Sequence, residues 1–496
     1  MSFQLRRTKI VATLGPATDD PKVLTDMVRA GLDVVRLNFS HGSVADHARR
    51  LDMVRAAARQ AGRYVGVLGD LQGPKIRIDR FASGKIELED GAEFTLDASL
   101  PVEAGTVMSV GIAYKKLPSD VFAGDVLLLN DGQISLQVLA IDGPRIKTRV
   151  LGGGELGNNK GINRQGGGLS AGALTDKDRE DIRAAASLQV DYMAVSFARD
   201  AADMNEARAL LRQAGGHALL VAKIERAEAI TNLADVVRAS DAVMVARGDL
   251  GVEMGYAELA GLQKLIIQEA RHQNRVVITA TQMMESMIVN TMPTRAEVSD
   301  VANAVMDGSD AVMLSAETAA GKHPTKVIEA MAQIIEGAEK YQGAHVRIRQ
   351  RTTGYFDRTN EAIAAAVMYT ANHLHVKAIV ALTESGETTL WMSRVRSDIP
   401  IYAFTRQEAT RSRVTLYRGV YPVAYNIEDE EDRDGFYFSI FRQLLDLKLV
   451  ALGDLIILTK GEHAGVVGGT NSMQILRVAI DRVAIDRVVD DPVAGN

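Results

Sequence analysis

Ala218-Leu219-Leu220-Val221-Ala222-Lys223-Ile224-Glu225 and Ala242-Val243-Met244-Val245-Ala246-Arg247-Gly248-Asp249 share one plan. An apolar run ends in one cation and one carboxylate spaced two apart. The apolar runs read as buried strands. On a strand, residues two apart face the same way, so Lys223 should project with Glu225, and Arg247 with Asp249. Two neighbouring strand ends, each offering a cation and a carboxylate, suit an anionic substrate held through a divalent metal. Phosphoryl transfer, which is mostly positioning and charge neutralisation, fits such a set.

Similar runs recur on both sides. Strands are expected over 9–14, 34–39, 65–69, 191–197, 219–225, 242–246, 276–281 and 311–315. They are rich in Val, Ile and Leu and mostly lack polar alternation, as parallel strands buried on both faces do. Amphipathic stretches at 24–29, 44–60, 176–187 and 259–273 lie between them. Eight such strands predict an α/β fold, a (β/α)8 TIM barrel, in preference to an open doubly wound sheet.

The interval between the third and fourth strands is about 120 residues, too long for a structureless loop. It contains alternating segments and the hairpin signal Asn130-Asp131-Gly132. An inserted small all-β lid domain is expected over 72–171, above the C-terminal face where barrel active sites lie. The barrel then comprises 1–71 and 172–345. A second α/β (Rossmann-like) domain is expected over 346–477, with helices at 361–374 and 390–395 and strands at 378–382, 401–404, 455–459 and 475–479. The extension 478–496 completes a tandem Val-Ala-Ile-Asp-Arg whose role is not readable.

Bulk properties narrow the class. The chain has 496 residues, 47% hydrophobic and 24% charged, with net charge −6. That balance gives no reason to expect nucleic acid as a partner. There is no Cys, hence no disulfide, thiolate metal site or Cys nucleophile. No apolar run reaches the roughly 18 to 20 residues that span a bilayer, and residues 1–15 lack the apolar core of a secretory signal. A cytoplasmic enzyme away from membranes is expected.

Charged and polar residues gather at the strand ends: Arg36, Asn38 and Ser40; Asp70; Lys223 and Glu225; Arg247 and Asp249; Thr279 and Thr281; Ser315 and Glu317. Gly152 to Gly157 fits G-x-G-x-x-G, but the adjoining Asn158-Asn159-Lys160-Gly161 opens no obvious helix, so a dinucleotide site is not expected. Without a Walker A sequence, side chains must hold nucleotide phosphates.

The motifs Thr13-Leu14-Gly15-Pro16-Ala17, Arg36-Leu37-Asn38-Phe39-Ser40-His41-Gly42, Asp70-Leu71-Gln72-Gly73-Pro74-Lys75-Ile76-Arg77, Lys223-Ile224-Glu225, Met244 to Gly251, Ala280 to Met287 and Pro293-Thr294-Arg295-Ala296-Glu297 resemble those of the pyruvate kinase family, in order and over nearly the whole chain. The resemblance is to bacterial members that do not require potassium. It implies phosphoryl transfer from phosphoenolpyruvate to ADP in glycolysis. It further implies Mg2+, with Mn2+ as a substitute, on Glu225 and Asp249. Lys223 and Arg36 would hold the transferring phosphoryl group, and Thr281 would serve the enolate face. The backbone of Arg247-Gly248-Asp249 would bind the substrate carboxylate. Asn38, His41, Arg77 and Lys160 would line the nucleotide site.

A monovalent-cation site would fall at Asn38, Ser40, Asp70 and the Leu71 backbone. Members that need K+ carry Glu where this chain has Lys75, so the Lys75 ammonium is expected to replace the ion. The loop Thr383-Glu384-Ser385-Gly386-Glu387-Thr388-Thr389 resembles an effector site for phosphorylated sugars. Thr383, Ser385, Gly386 and Thr388 are its candidate ligands; a simple helix cap is the alternative reading. Allosteric control by a sugar phosphate or nucleotide, and a homotetramer, follow from the resemblance. The competing readings are a Mg2+-dependent pyruvate-enolate lyase, which would need no nucleotide lid, and a non-catalytic phosphometabolite sensor, which should have lost a core charge.

Overall fold

The computed structural model describes residues 5–345, 355–425, 433–462 and 467–479. Eight strands form a closed parallel barrel: β1 Lys9–Thr13, β2 Val34–Asn38, β3 Gly66–Asp70, β4 Tyr192–Val195, β5 Leu219–Ile224, β6 Ala242–Ala246, β7 Val276–Ala280 and β8 Ala311–Leu314. β8 pairs with β1 to close it, Lys9 opposite Ala311. The β-branched and aliphatic runs are buried on both faces. Ile10, Ala12, Val35 and Val243 pack outward under the helices, while Val11, Val34, Leu68, Val221, Met244 and Ile278 fill the interior.

A fourfold device sets the register at the N-terminal end. Asp33, Asp191, Asp241 and Asp310 each stand one residue before an even-numbered strand. Each donates its own N–H to the carbonyl of the second residue of the preceding odd strand: Ile10, Val67, Leu220 and Val277. Each carboxylate accepts that same residue's N–H, at 2.9, 2.8, 2.8 and 2.9 Å. Backbone groups at the barrel rim that would otherwise lack a ladder partner are thereby satisfied.

Between β3 and β4 the chain builds the lid. One sheet orders Ile162–Arg164, Val126–Leu129, Ile134–Asp142, Arg145–Gly152, Glu93–Asp97 and Ser109–Gly111 as neighbours. The lid has its own core, including Ile78, Phe94, Leu127 and Ile146. Asn130, Asp131 and Gly132 adopt positive φ at its hairpin. Gly154–Gly157 is a strand antiparallel to Lys85–Leu88, so the G-x-G-x-x-G spacing belongs to sheet and not to a phosphate loop.

The C-terminal sheet contains β9 Ala378–Leu382, β10 Ile401–Thr405, β11 Val420–Ala424, β12 Leu455–Gly461 and β13 Thr470–Arg477 in the order β11-β10-β9-β12-β13, with β13 antiparallel. The sequence reading lacked β11 and the helix Arg433–Asp446. β11 carries Pro422, which demotes a strand pattern, but β11 is an edge strand, where a missing N–H is tolerated. The helix expected over 390–395 begins earlier, as Glu387–Arg394. The tandem pentapeptide falls mainly on residues outside those described. The barrel interior and this domain share one apolar cluster, in which Val11 and Met244 continue into Val367, Ile379 and Leu416.

Candidate active site

Four charged side chains meet at the C-terminal ends of β2, β3 and β5. Arg36 donates from Nε to Asp70 Oδ2 at 2.6 Å and from Nη1 to Thr13 Oγ1 at 3.0 Å. Asp70 is fully buried, and its other oxygen lies 3.4 Å from Lys223 Nζ. Lys223 Nζ also contacts Glu225 Oε1 at 3.0 Å. The period-two expectation for Lys223 and Glu225 therefore holds as direct contact. Burial pushes the Lys223 ammonium down, but Asp70 and Glu225 outweigh it and hold it above its ordinary range. The Glu225 carboxyl is pushed up by burial; Lys223 opposes this and Asp249 adds to it.

Ser196 joins this network without having been expected. Lys223 Nζ donates to its Oγ at 2.7 Å, and its Oγ donates to the Leu71 carbonyl at 2.7 Å. Ser196 stands one residue beyond β4, the same strand-end signal that marked the others. The next residue, Phe197, takes φ of 56° and donates its N–H to Glu225 Oε2 at 2.9 Å. Glu225 is thus held from two strands.

The expectation for Arg247 and Asp249 needs correction. β6 ends at Ala246, and Arg247 opens the helix Arg247–Met254. Strand alternation does not apply there. The Arg247 side chain turns from the cleft and pairs with Asp300 through two nitrogens, at 2.6 and 2.7 Å. It also donates to the carbonyls of Ala280 at 3.1 Å and Thr281 at 2.7 Å. Thr281 has φ of 75°, a conformation strained for a β-branched residue. Arg247 braces it. A Cβ on Gly248 would stand 3.0 Å from Thr281 Cγ2, so the absent side chain lets the helix start approach Thr281. A helix start directs its first-turn N–H groups outward, the arrangement that suits an anion. Glu317 is likewise structural: it is buried and accepts the N–H groups of Ser315 and Met284.

Two hard carboxylates, Glu225 and Asp249, form the candidate metal set. Among the described residues no cluster of three or more His, Cys, Asp or Glu is gathered as a metal cage. Mg2+ is commonly held by one or two carboxylates, with water and substrate completing it, so the donor set fits. Each carboxylate faces an ammonium: Lys223 on Glu225, and Lys75 on Asp249 at 3.2 Å.

Lys75 also reaches Asp131, at 3.6 Å, from the lid hairpin. Burial opposes its charge, but Asp249 and Asp131 outweigh that and raise its pKa. At the expected monovalent-cation position, Asn38 Oδ1 accepts the Ser40 N–H at 3.1 Å, Asp70 is shared by Arg36 and Lys223, and the Leu71 carbonyl is taken by Ser196. His41 is exposed on the loop after β2.

Arg77 and Lys160 lie 83 residues apart, and the hinge brings them side by side. Arg77 bridges Gly161, Ile78 donates its N–H to the Lys160 carbonyl, and Arg77 Nη1 donates to the Asn159 carbonyl at 2.9 Å. The two crossings of the lid form one antiparallel ribbon.

Residues 383–389 lie in the C-terminal domain, away from this cleft. Thr383 Oγ1 accepts the Gly386 N–H at 2.9 Å, and Ser385 Oγ accepts the Glu387 N–H at 3.4 Å. Thr388 hydrogen-bonds Thr470 at 2.7 Å. Glu384 pairs with Arg406 at 3.3 Å and Glu387 with Arg358 at 2.5 Å. Arg411 is committed to the carbonyls of Thr405 and Arg406, and Arg413 reaches the His217 carbonyl.

Comparison with known proteins agrees with this geometry. A family model described as pyruvate kinase, barrel domain, matches residues 5–328, and one described as pyruvate kinase, alpha/beta domain, matches residues 361–476. The chain is 54% identical over 484 residues to pyruvate kinase II of Salmonella typhimurium, covering 96% of this chain and 100% of that one. It is 52% identical to the pyruvate kinase of Haemophilus influenzae, covering 93% and 97%, and 41% identical to that of Mycobacterium tuberculosis, covering 96% and 99%. With both family domains matched in order and relatives aligned end to end, the chain belongs to the pyruvate kinase family.

Proposed function

We propose that the chain transfers the phosphoryl group of phosphoenolpyruvate to ADP, giving pyruvate and ATP, at the C-terminal face of its barrel. The observation that carries this is the buried Arg36–Asp70–Lys223–Glu225 network in a chain with full-length pyruvate kinase relatives. A lyase or a decayed sensor would not need this network together with a hinged nucleotide lid.

Lys223 and Arg36 hold the phosphoryl group as it moves. Because Asp70 and Glu225 keep the Lys223 ammonium protonated, it acts as a fixed charge and not as an acid. The bond from phosphorus to the enol oxygen breaks, its electron pair stays on that oxygen, and an ADP oxygen takes the phosphoryl group. A divalent ion on Glu225 and Asp249, Mg2+ or Mn2+, supplies Lewis-acid stabilisation of the developing charge. The N–H groups opening the helix at Arg247-Gly248-Asp249 orient the substrate carboxylate. The enolate carbon then gains a proton on the face served by Thr281 through water, since a Thr hydroxyl alone is a poor acid. Arg77 and Lys160 bind nucleotide phosphates, with Asn38 and His41 lining the same cleft.

In this reading Lys75 replaces the monovalent cation, and catalysis does not depend on K+. A cation inside the cleft, already paired with Asp249, supports it. We also read the loop at Thr383, Ser385, Gly386 and Thr388 as an effector site for a sugar phosphate or nucleotide, its acids offset by Arg406 and Arg358. The working form is a cytoplasmic homotetramer. The catalytic unit is assigned to 1–71 and 172–345, the lid to 72–171 and the effector domain to 346–477.

The test is pyruvate formation from phosphoenolpyruvate and ADP with Mg2+, with and without K+ at matched ionic strength. Equal rates are expected. Activity only with K+ removes the Lys75 role. No activity from folded protein, with and without candidate effectors, removes the kinase reading. Retained Mg2+ binding and turnover in Asp249→Ala would remove the metal assignment.

A further inference from the structure

The helix that begins with the substrate-facing Arg247-Gly248-Asp249 ends in a buried acid outside the catalytic network. Glu253 is 4% exposed. Its Oε2 accepts the N–H of Ala227, two residues beyond Glu225, at 3.0 Å. Its Oε1 accepts from Asn163 Nδ2, on the strand returning from the lid, at 3.4 Å. Its backbone carbonyl accepts the Gly166 N–H at 2.9 Å. One residue therefore ties together the helix of Asp249, the turn after Glu225 and the exit of the lid.

Neighbouring groups close the same junction. Glu228 accepts the Gly168 N–H at 2.7 Å. Arg226 pairs with Glu228 at 3.0 Å and donates to the carbonyls of Leu169 at 2.6 Å and Ala171 at 3.2 Å. Gly167 has φ of 76°, and a Cβ there would stand 2.9 Å from Ala227 Cβ, so the return loop interlocks with the turn. A cavity of 20 Å³ beside Glu253 is lined by Pro74, Lys75 and Ile76 of the outgoing crossing and by Ile162 and Asn163 of the returning one. Both crossings of the lid therefore border the small cavity that Glu253 also lines.

We infer that Glu253 is a positioning residue, a latch that sets the lid's hinge against the two metal-side carboxylates and so determines how well the lid receives the nucleotide. Glu253 is not among the residues assigned to substrate or metal, and its hydrogen-bond partners are Ala227, Asn163 and Gly166. Burial pushes its carboxyl up to about 7, which fits a group whose hydrogen bonds matter more than its charge; an amide should serve nearly as well once Asn163 turns its Oδ1 toward the amide nitrogen. The inference rests on the reading that the lid carries the nucleotide-phosphate ligands Arg77 and Lys160.

The test compares Glu253→Ala, Glu253→Gln and Asn163→Ala in the full-length protein. Glu253→Ala should raise the KM for ADP about tenfold, the scale of a lost buried hydrogen bond with its partner left unpaired. The kcat at saturating ADP and the KM for phosphoenolpyruvate should change less than about twofold. Glu253→Gln should restore most of the loss, and Asn163→Ala, which cuts the latch from the lid side, should show the same split. In the protein without substrates, hydrogen exchange of the Gly166 and Gly168 amides should quicken in Glu253→Ala.

Equal losses in both KM values and kcat, or unchanged exchange at Gly166, would overturn the latch. If Glu253→Ala does not fold, Asn163→Ala decides by the same criteria. A higher KM for ADP in Arg77→Met and Lys160→Met, with none in the latch variants, overturns the latch alone. If all of these variants keep the wild-type KM for ADP, the nucleotide reading of the lid fails, and the latch fails with it.

Discussion

At the N-terminal end of the barrel, Asp33, Asp191, Asp241 and Asp310 each spend a carboxylate oxygen on the backbone N–H of a neighbouring strand. At the C-terminal end, Asp70 takes the Arg36 and Lys223 cations and the Ser196 hydroxyl, Asp249 takes Lys75, and Glu225 divides itself between Lys223 and the Phe197 N–H. Both ends bury charge, but they use it differently. The first arrangement repeats four times around the ring, with the acid at the same offset before alternate strands. The second does not repeat: β2 offers Arg36 and Asn38, β3 offers Asp70, and β5 offers Lys223 and Glu225. Repetition marks chemistry that any strand pair requires. Its absence marks groups chosen for one ligand, as expected where the C-terminal face carries catalysis and the opposite face carries stability.

Substitution at each end should separate the two uses. Lys223→Met should lower kcat by about a thousandfold or more, the scale of removing a buried charge aimed at the transition state. Asp70 and Glu225 also lose a buried partner, so kcat is read per folded molecule. Retention of activity within tenfold would mean that the two ends are not distinct. Arg394→Met should do the opposite. Arg394 pairs bidentately with Asp310 at 2.7 and 2.9 Å, with both side chains nearly inaccessible. Stranding the Asp310 charge should cost about 3–5 kcal/mol in urea unfolding. Turnover per folded molecule should hold, and a lower kcat would blur the division.

A smaller effect is expected from Arg247→Met, which sits at the catalytic end but acts through packing. Loss of the brace on the Thr281 carbonyl should lower kcat about ten- to a hundredfold by misplacing the Thr281 turn. Stopped-flow measurement of the chemical step would check it.

The smallest effect concerns Lys9, at the N-terminal end. Its Nζ donates to the Val420 carbonyl at 2.7 Å and lies 4.3 Å from the Tyr421 ring centroid. Burial pushes its pKa down from 10.5 to about 8, with Asp33 opposing. Between those values the unfolded chain binds the proton and the folded chain does not. Stability from this group should therefore rise with pH across that window, by no more than about 1.4 kcal/mol per pH unit. The difference in urea midpoint between wild type and Lys9→Met, followed from pH 7 to 11, should carry that slope. A flat difference would show that the contact tolerates the charge.

The strands were legible because a strand buried on both faces must be apolar throughout, and runs such as Leu219 to Ala222 leave few alternatives. Arg36, Lys223 and Glu225 were legible because a polar residue at the end of such a run needs a partner or a task. Arg247 misled because strand alternation was carried past the strand's end at Ala246, where a helix start re-aims the side chain. β11 was missed because Pro422 argues against a strand unless the position is known to be an edge. The Asp ring escaped notice because one Asp before a strand is unremarkable until its three counterparts are seen in register with it.

By itself, the sequence determined the barrel, the lid's position in the third βα connection and the charged residues at the strand ends, since all follow from local patterning along one chain. Only the tertiary structure decided which charges touch. Asp70 lies between Arg36 and Lys223, Lys75 rests on Asp249, and Arg77 and Lys160 become neighbours across 83 residues. Contact between side chains on different strands depends on barrel closure and register. Those in turn depend on pairings such as Lys9 with Ala311, which only the folded chain brings together.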